Sequence, residues 1–152
     1  MTSSLKTSCP CGSGAVYETC CGVYHQGVPA LTPEALMRSR YSAFALDLVD
    51  YLKATWHPST RPQALSPDPA TQWKRLVIES APAPKGERGT VHFKAYFFER
   101  GWHVLEEVSR FVNESGRWYY LDGAPRLEKL KPGRNERCLC GSNRKFKACC
   151  GG

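Results

Sequence analysis

The chain has 152 residues, of which 41% are hydrophobic and 23% charged, with a net charge of +7 and eight cysteines. This length predicts about one domain with a real core, and the ordinary apolar content excludes wholesale disorder. No stretch approaches the roughly 18 apolar residues needed to cross a bilayer, and the first residues lack the apolar centre of a secretion signal. We therefore expect a cytoplasmic protein.

The first element along the chain is a cysteine motif that returns at its end. Both copies read C-x-C-G-S-x6-C-C-G, and the second follows the first at a distance of 129 residues (138 − 9). The motif uses every cysteine of the chain: Cys9, Cys11, Cys20, Cys21, Cys138, Cys140, Cys149 and Cys150.

Four thiolates at this spacing predict a tetrahedral metal site in each copy. Four sulfur ligands leave no position open for water, which indicates a structural rather than a hydrolytic site. A disulfide framework is less favoured, because disulfides are rare in a reducing cytosol and would not explain why the same spacing occurs twice. A dithiol redox pair is also less favoured, because its usual C-x-x-C spacing is absent. We expect two zinc ions per chain, with iron as the alternative metal.

Between the motifs, a helical segment begins at Thr32-Pro33-Glu34, which supplies a capping hydroxyl, a proline at the first helical position and an acid in the first turn. The apolar residues that follow recur at steps of three or four, as on one face of a helix or of two helices broken near Asp47. Pro58 ends the pattern. The face consists of Met37, Tyr41, Phe44, Leu48, Leu52 and Trp56.

A proline-rich loop over residues 58–70 separates the helices from four segments with the two-residue period of strands. These segments are 73–79, 90–98, 102–111 and 117–121. We expect an α+β domain in which the helices cover one face of a curved antiparallel four-stranded sheet.

The excess charge lies at the end of the chain. Residues 1–22 are neutral and residues 23–125 carry +1, whereas residues 126–152 carry +6. Such a segment is either simply solvated or binds RNA phosphates (for example on a ribosome or another nucleic acid), an acidic protein surface or anionic lipid. We expect Phe146 to pack inside the module rather than to stack on a base. The candidate partner-binding residues are Arg134, Arg137, Arg144, Lys145 and Lys147.

Several segments resemble known families. The cysteine motif resembles the SEC-C motif, named for the zinc-binding tail of the SecA translocation ATPase, and the C-terminal copy with its Arg-Lys-Phe-Lys interior is the nearer match. Residues 38–44, 55–58 and 116–123 are similar to the YchJ family of bacterial cytosolic proteins. The resemblance implies a SEC-C module over 1–24, a cone-shaped nuclear-transport-factor-like domain over 25–125 and a second SEC-C module over 126–152.

A cone-shaped domain offers a pocket, but the sequence contains no hydrolase, metalloprotease or P-loop motif. Candidate pocket residues are Arg38, Arg40, Tyr41, His57 and His103. We expect the two arginines on the surface unless they hold an anion, Tyr41 in the core, and His57 at the end of a helix. An acid–base pair would have to form across strands, between His103 or His92 and Glu79 or Glu106.

These observations favour a non-enzymatic, metal-binding adaptor whose basic C-terminal module docks onto a ribosome, an export component or another acidic surface. The first alternative is a small-molecule binder or enzyme that uses a pocket in the middle domain. The second is metal handling or thiol redox sensing by the cysteines themselves.

Overall fold

The helices lie at the start of the chain and the strands at its end, in a computed structural model that describes residues 7–150. Gly151 of the second cysteine motif and the first six residues of the predicted N-terminal module lie outside the described range. The three α-helices are α1 (Cys21–His25), α2 (Pro33–Leu46) and α3 (Val49–Ala54). Within residues 7–150, no helix combines the length and the apolar composition that crossing a lipid bilayer requires.

Helix α2 starts where the sequence predicts. The Thr32 hydroxyl accepts a hydrogen bond from the Ala35 N–H at 3.0 Å, and Pro33 occupies the first helical position. Asp47 ends the helix in the left-handed conformation, with φ of 61°, and α3 begins two residues later. The sequence left open one long helix or two helices broken near Asp47, and the second arrangement is therefore correct.

The sheet is entirely antiparallel. Its strands are β1 (Gln72–Ser80), β2 (Arg88–Phe98), β3 (Trp102–Glu114), β4 (Arg117–Gly123) and β5 (Arg126–Leu130), and they run in the order β1-β2-β3-β4, with β5 also paired to β3. The first four strands confirm the predicted segments and the α+β class. The expectation of four strands misses β5, which pairs with the first half of β3 from Trp102 to Glu106.

Strand β5 lies in the basic segment that the sequence analysis assigned to the C-terminal module. Four of its five residues are exposed, and the fifth, Leu130, is half-buried. A strand that buries neither face shows no alternation of apolar and polar residues, so its pairing through backbone hydrogen bonds leaves no pattern in the sequence.

The core lies between α2 and one face of the sheet. Residues Val91, Phe93 and Ala95 of β2 are buried there against Leu36 and Met37 of α2. The loop after α3 is tied to β4 by two backbone hydrogen bonds of 2.8 Å, from His57 to Tyr120 and from Tyr120 to Thr55. Helix α2, this loop and the strands together line a pocket that is partly open to solvent.

Candidate metal centres

The four cysteines of the N-terminal motif converge on one point. Their sulfur atoms all lie within 4.8 Å of one another, and Cys11 Sγ is 3.6 Å from Cys20 Sγ. A tetrahedron with metal–sulfur bonds of about 2.3 Å has sulfur–sulfur edges of about 3.8 Å. The cluster therefore has the dimensions of a tetrathiolate site.

The C-terminal motif forms a second cluster of the same size. Cys149 Sγ lies 3.5 Å from Cys140 Sγ and 3.9 Å from Cys150 Sγ, and the four sulfur atoms again lie within 4.8 Å of one another. All eight thiols are free rather than paired in disulfides. The predicted grouping into two sets of four is confirmed.

The two modules also share their backbone structure. Cys9 N–H donates to Ala15 C=O at 2.9 Å, and its counterpart Cys138 N–H donates to Arg144 C=O at 2.7 Å. In each copy a short 3-10 turn leads into the C-C pair, at Tyr17–Thr19 and Phe146–Ala148.

The glycine after the C-x-C step is a turn residue in both copies. The φ angles are 80° at Gly12 and 88° at Gly141, a left-handed conformation that glycine adopts without a steric penalty. The spacing of the motif thus reflects one local fold used twice.

Hydrogen bonds distribute charge unevenly among the thiols. The hydrogen bond with Cys21 lowers the pKa of Cys11 to about 4, and the same bond raises the pKa of Cys21. The Ser142 hydroxyl lowers the pKa of Cys149 to about 6, whereas burial raises the pKa of Cys150 to about 12. Each cluster therefore contains at least one thiol with a lowered pKa, and a divalent cation must displace protons from the thiols with raised pKa.

The N-terminal module is part of the hydrophobic core. Cys9, Cys11 and Cys21 are buried, and Cys9 Sγ lies 3.5 Å from the Ser42 hydroxyl of α2. Arg38 also fixes this module, because its Nη1 donates to the Cys11 carbonyl at 3.1 Å while its Nε pairs with Glu34 at 3.0 Å.

A histidine makes a second link between this module and α2. Tyr17 Oη lies 2.5 Å from His25 Nδ1, and His25 Nε2 donates to the Ser39 carbonyl at 2.8 Å. Because a carbonyl only accepts, Nε2 carries a proton, and in the neutral ring Nδ1 then accepts from the tyrosine hydroxyl. Burial lowers the pKa of His25, which favours the same neutral form.

The C-terminal module is mostly exposed, and so are all five candidate partner-binding residues. Among residues 7–150, none of the five forms an ion pair with a carboxylate. Arg137 Nη1 instead donates to the Asn143 carbonyl at 2.7 Å, and Arg144 Nη2 lies 3.5 Å from Cys149 Sγ. Phe146 is half-buried within the module, as Tyr17 is in the other copy.

Both modules lie against β1 through the same turn. A β-carbon added at Gly12 would lie 3.9 Å from the Leu76 carbonyl oxygen, and one added at Gly141 would lie 3.1 Å from Arg75 Cδ. The two equivalent glycines therefore approach adjacent residues of one edge strand. The sequence contains no sign of this arrangement.

Of the five candidate pocket residues, Arg40 alone lines the interior of the cone. The surface position expected for it is wrong, because Arg40 is 3% exposed. Tyr41 is buried in the core as expected. His57 lies beyond the end of α3 and bonds Glu114 at 2.7 Å, and His103 stacks on Phe97 with ring centroids 5.1 Å apart.

One of the proposed cross-strand pairs is present. His92 Nε2 lies 2.6 Å from Glu106 Oε2, and this hydrogen bond lowers the pKa of Glu106. Neighbouring residues of β2 and β3 point into the core, so the pair lies on the outer face of the sheet. It takes no part in the cavity, where Glu107 occupies the inward position instead.

The chain matches two known families, which together cover most of its length. Residues 32–123 match the family described as YchJ, middle NTF2-like domain, and residues 7–22 and 134–152 match the SEC-C motif. The chain is 44% identical to the UPF0225 protein VP1145 of Vibrio parahaemolyticus, with 97% of this chain and 100% of that protein covered. A UPF0225 protein of Sodalis glossinidius is 41% identical over 96% of this chain and 99% of that protein.

Two solved structures of SEC-C motif proteins have similar folds. The solution structure of RPA3114 from Rhodopseudomonas palustris is 36% identical, with a TM-score of 0.69, and the match covers 82% of this chain and 100% of that one. The crystal structure of a protein from Psychrobacter arcticus is 32% identical, with a TM-score of 0.63 and 94% of each chain covered.

Proposed function

Because this chain belongs to the UPF0225 (YchJ) family of SEC-C motif proteins, we propose that it is a zinc-stabilised, non-enzymatic adaptor. Its C-terminal module docks onto an acidic surface, and its N-terminal module serves the fold. One observation carries the proposal: two modules with the same backbone and the same ligands differ in burial, and the exposed one carries the unpaired cations.

We propose zinc as the metal of these clusters, with iron, which also binds tetrahedral thiolate sites, as the alternative. Four thiolates at tetrahedral distances are the usual ligand set of structural zinc, and they leave no position for a substrate or for water. Each ion would stabilise a module of about 20 residues that cannot form a sufficient core by itself. One ion in each cluster gives two per chain.

The charge of the C-terminal module remains positive after metal binding. A divalent ion with four thiolates adds −2, so a segment of +6 keeps a charge of about +4. Exposed arginines and lysines without carboxylate partners are available to phosphates or to carboxylates of another molecule. A ribosome or an acidic component of protein export offers such a surface.

The test is co-sedimentation of the zinc-loaded protein with purified bacterial ribosomes and capture of partners from lysate, both over a range of salt concentrations. We expect binding that weakens steeply with salt, because it releases counterions from phosphates. A triple variant, Arg134→Glu, Lys145→Glu and Lys147→Glu, should lose at least tenfold in affinity.

The matched control makes the same change of charge on the middle domain with Lys74→Glu, Lys85→Glu and Arg117→Glu, all at exposed positions. This variant should bind like the natural protein. Equal losses in the two variants, or binding that does not respond to salt, would contradict docking by the C-terminal module.

A further inference from the structure

The cone contains a pocket of about 290 Å³ that is partly open to solvent, which we call the cone cavity. Its walls are mainly apolar, with Met37 and Phe44 from α2 and Phe93 and Leu105 from the sheet. Its polar groups are few and come from three different elements. They are Arg40 of α2, Glu107 and Ser109 of β3, and Tyr120 of β4. A mainly apolar cavity with a few convergent polar groups is typical of small-molecule sites.

Arg40 is nearly fully buried and only partly satisfied. Its Nη1 donates to the Leu52 carbonyl at 2.9 Å and to the Thr55 hydroxyl at 2.7 Å. Its guanidinium also lies over the rings of Trp56 and Tyr120, at 5.2 and 4.7 Å from their centroids. Over residues 7–150, Nε and Nη2 donate to no acceptor, and both retain some solvent exposure. Arg40 also lines the cavity.

Glu107 has the complementary arrangement on strand β3. Its Oε2 accepts from Ser109 at 2.6 Å and from Tyr120 at 2.9 Å, while Oε1 has no donor within the described part of the chain. The side chain is 7% exposed. Gly123 makes room for it, because a β-carbon there would overlap with the carboxylate.

The two charged groups do not neutralise each other by contact. In the range 7–150, no salt bridge joins Arg40 to Glu107, so their nearest N and O atoms lie more than 4.0 Å apart. A buried charge left without full pairing is costly, and proteins retain such groups mainly where a ligand or a function uses them. Both side chains line the cone cavity, so a ligand bound there can contact each of them.

We propose that the cone cavity binds a small neutral molecule with an apolar body and an amide-like group that accepts from Arg40 and donates to Glu107. An anion would meet the carboxylate, and a cation would meet the guanidinium, so each would be repelled by one wall. A neutral group with an acceptor and a donor satisfies both. The binding site uses no cysteine and does not depend on the adaptor role.

The test uses three probes of nearly equal size: phenylacetamide, phenylacetate and phenethylammonium. Each has about ten non-hydrogen atoms, so the best of them is expected to bind in about the millimolar range. Binding to the full-length, zinc-loaded protein is followed by the NMR shift of the Trp56 indole N–H. We expect phenylacetamide to bind at least tenfold more tightly than the two charged probes.

The variant Glu107→Gln tests the role of the carboxylate while keeping its shape. It should weaken phenylacetamide binding about tenfold, since a charge-assisted hydrogen bond becomes a neutral one. It should also strengthen phenylacetate binding, because Arg40 then lacks a competing charge. If Glu107 had a purely structural role, Glu107→Gln would not weaken phenylacetamide binding while strengthening phenylacetate binding.

Glu106→Gln is the matched control, since this neighbouring carboxylate points to the outer face and pairs with His92. It should leave the affinities for all three probes unchanged. The proposal is overturned if no probe shifts the Trp56 signal, if the natural protein prefers phenylacetate, or if Glu106→Gln and Glu107→Gln have equal effects. Thermal unfolding of both variants shows whether each remains folded.

Discussion

The two cysteine modules have the same local structure but differ in how deeply they are buried. Cys11 in the first is fully buried and its carbonyl is held by Arg38, whereas the equivalent Cys140 in the second is half-buried in a mostly exposed module. The motif therefore determines the ligands and the turn, and the packing around it determines what the module does. One copy belongs to the core of the domain, and the other presents a charged surface.

The largest expected difference between the modules concerns ligand removal. Cys11→Ser should lower the free energy of unfolding of the whole protein by several kcal/mol, since loss of the metal also disrupts the core around it. The equivalent change Cys140→Ser should remove one metal ion and leave the main unfolding transition nearly in place. Zinc content by elemental analysis and thermal unfolding measure the two effects.

Equal shifts of the main transition in these two variants would contradict the distinction. Cys11→Ala and Cys140→Ala serve as further controls, because they separate loss of the ligand from the introduction of a buried hydroxyl at position 11.

Removal of metal by a chelator should separate the sites in time. The C-terminal cluster includes the exposed Cys150, whereas three ligands of the N-terminal cluster are buried. We expect two phases of metal release that differ in rate by at least tenfold, because the buried cluster must wait for local opening of the structure. Only the slow phase should accompany the loss of tertiary structure.

A colorimetric metal indicator and near-ultraviolet circular dichroism, recorded together, follow both events. A single phase, or loss of tertiary structure in the fast phase, would show that the two modules are equally coupled to the core. The Cys140→Ser protein is the control, since it should show the slow phase alone.

The smallest predicted effect concerns one hydroxyl group. Tyr17→Phe removes the hydrogen bond to His25 and should cost about 1 kcal/mol of stability. The natural residue at the equivalent position is already phenylalanine, and the reverse change Phe146→Tyr should alter stability by less than about 0.5 kcal/mol. Denaturant unfolding of both variants measures the difference. If Phe146→Tyr lowered the free energy of unfolding as much as Tyr17→Phe, the two positions would contribute equally to stability.

The sequence alone determined the features that depend on neighbouring residues. Each cysteine motif encodes its own turn, so the grouping of the ligands follows from spacing. Thr32 and Pro33 specify the start of α2, and the two-residue period of the apolar residues located the first four strands. Such signals are local, because a helix or a strand positions its side chains by its own geometry.

Only the tertiary structure decided which of these features meet. The burial of Arg40 arises from the rings of Trp56 and Tyr120, which come from a loop and a distant strand. The partner of His92 depends on the register between β2 and β3, and β5 is held by pairing with β3 rather than by burial. The burial of one cysteine module and the exposure of the other also depend on the packing around them. Contacts between distant segments depend on packing and register, which no local pattern encodes, and these contacts made one motif part of the core and left the other at the surface.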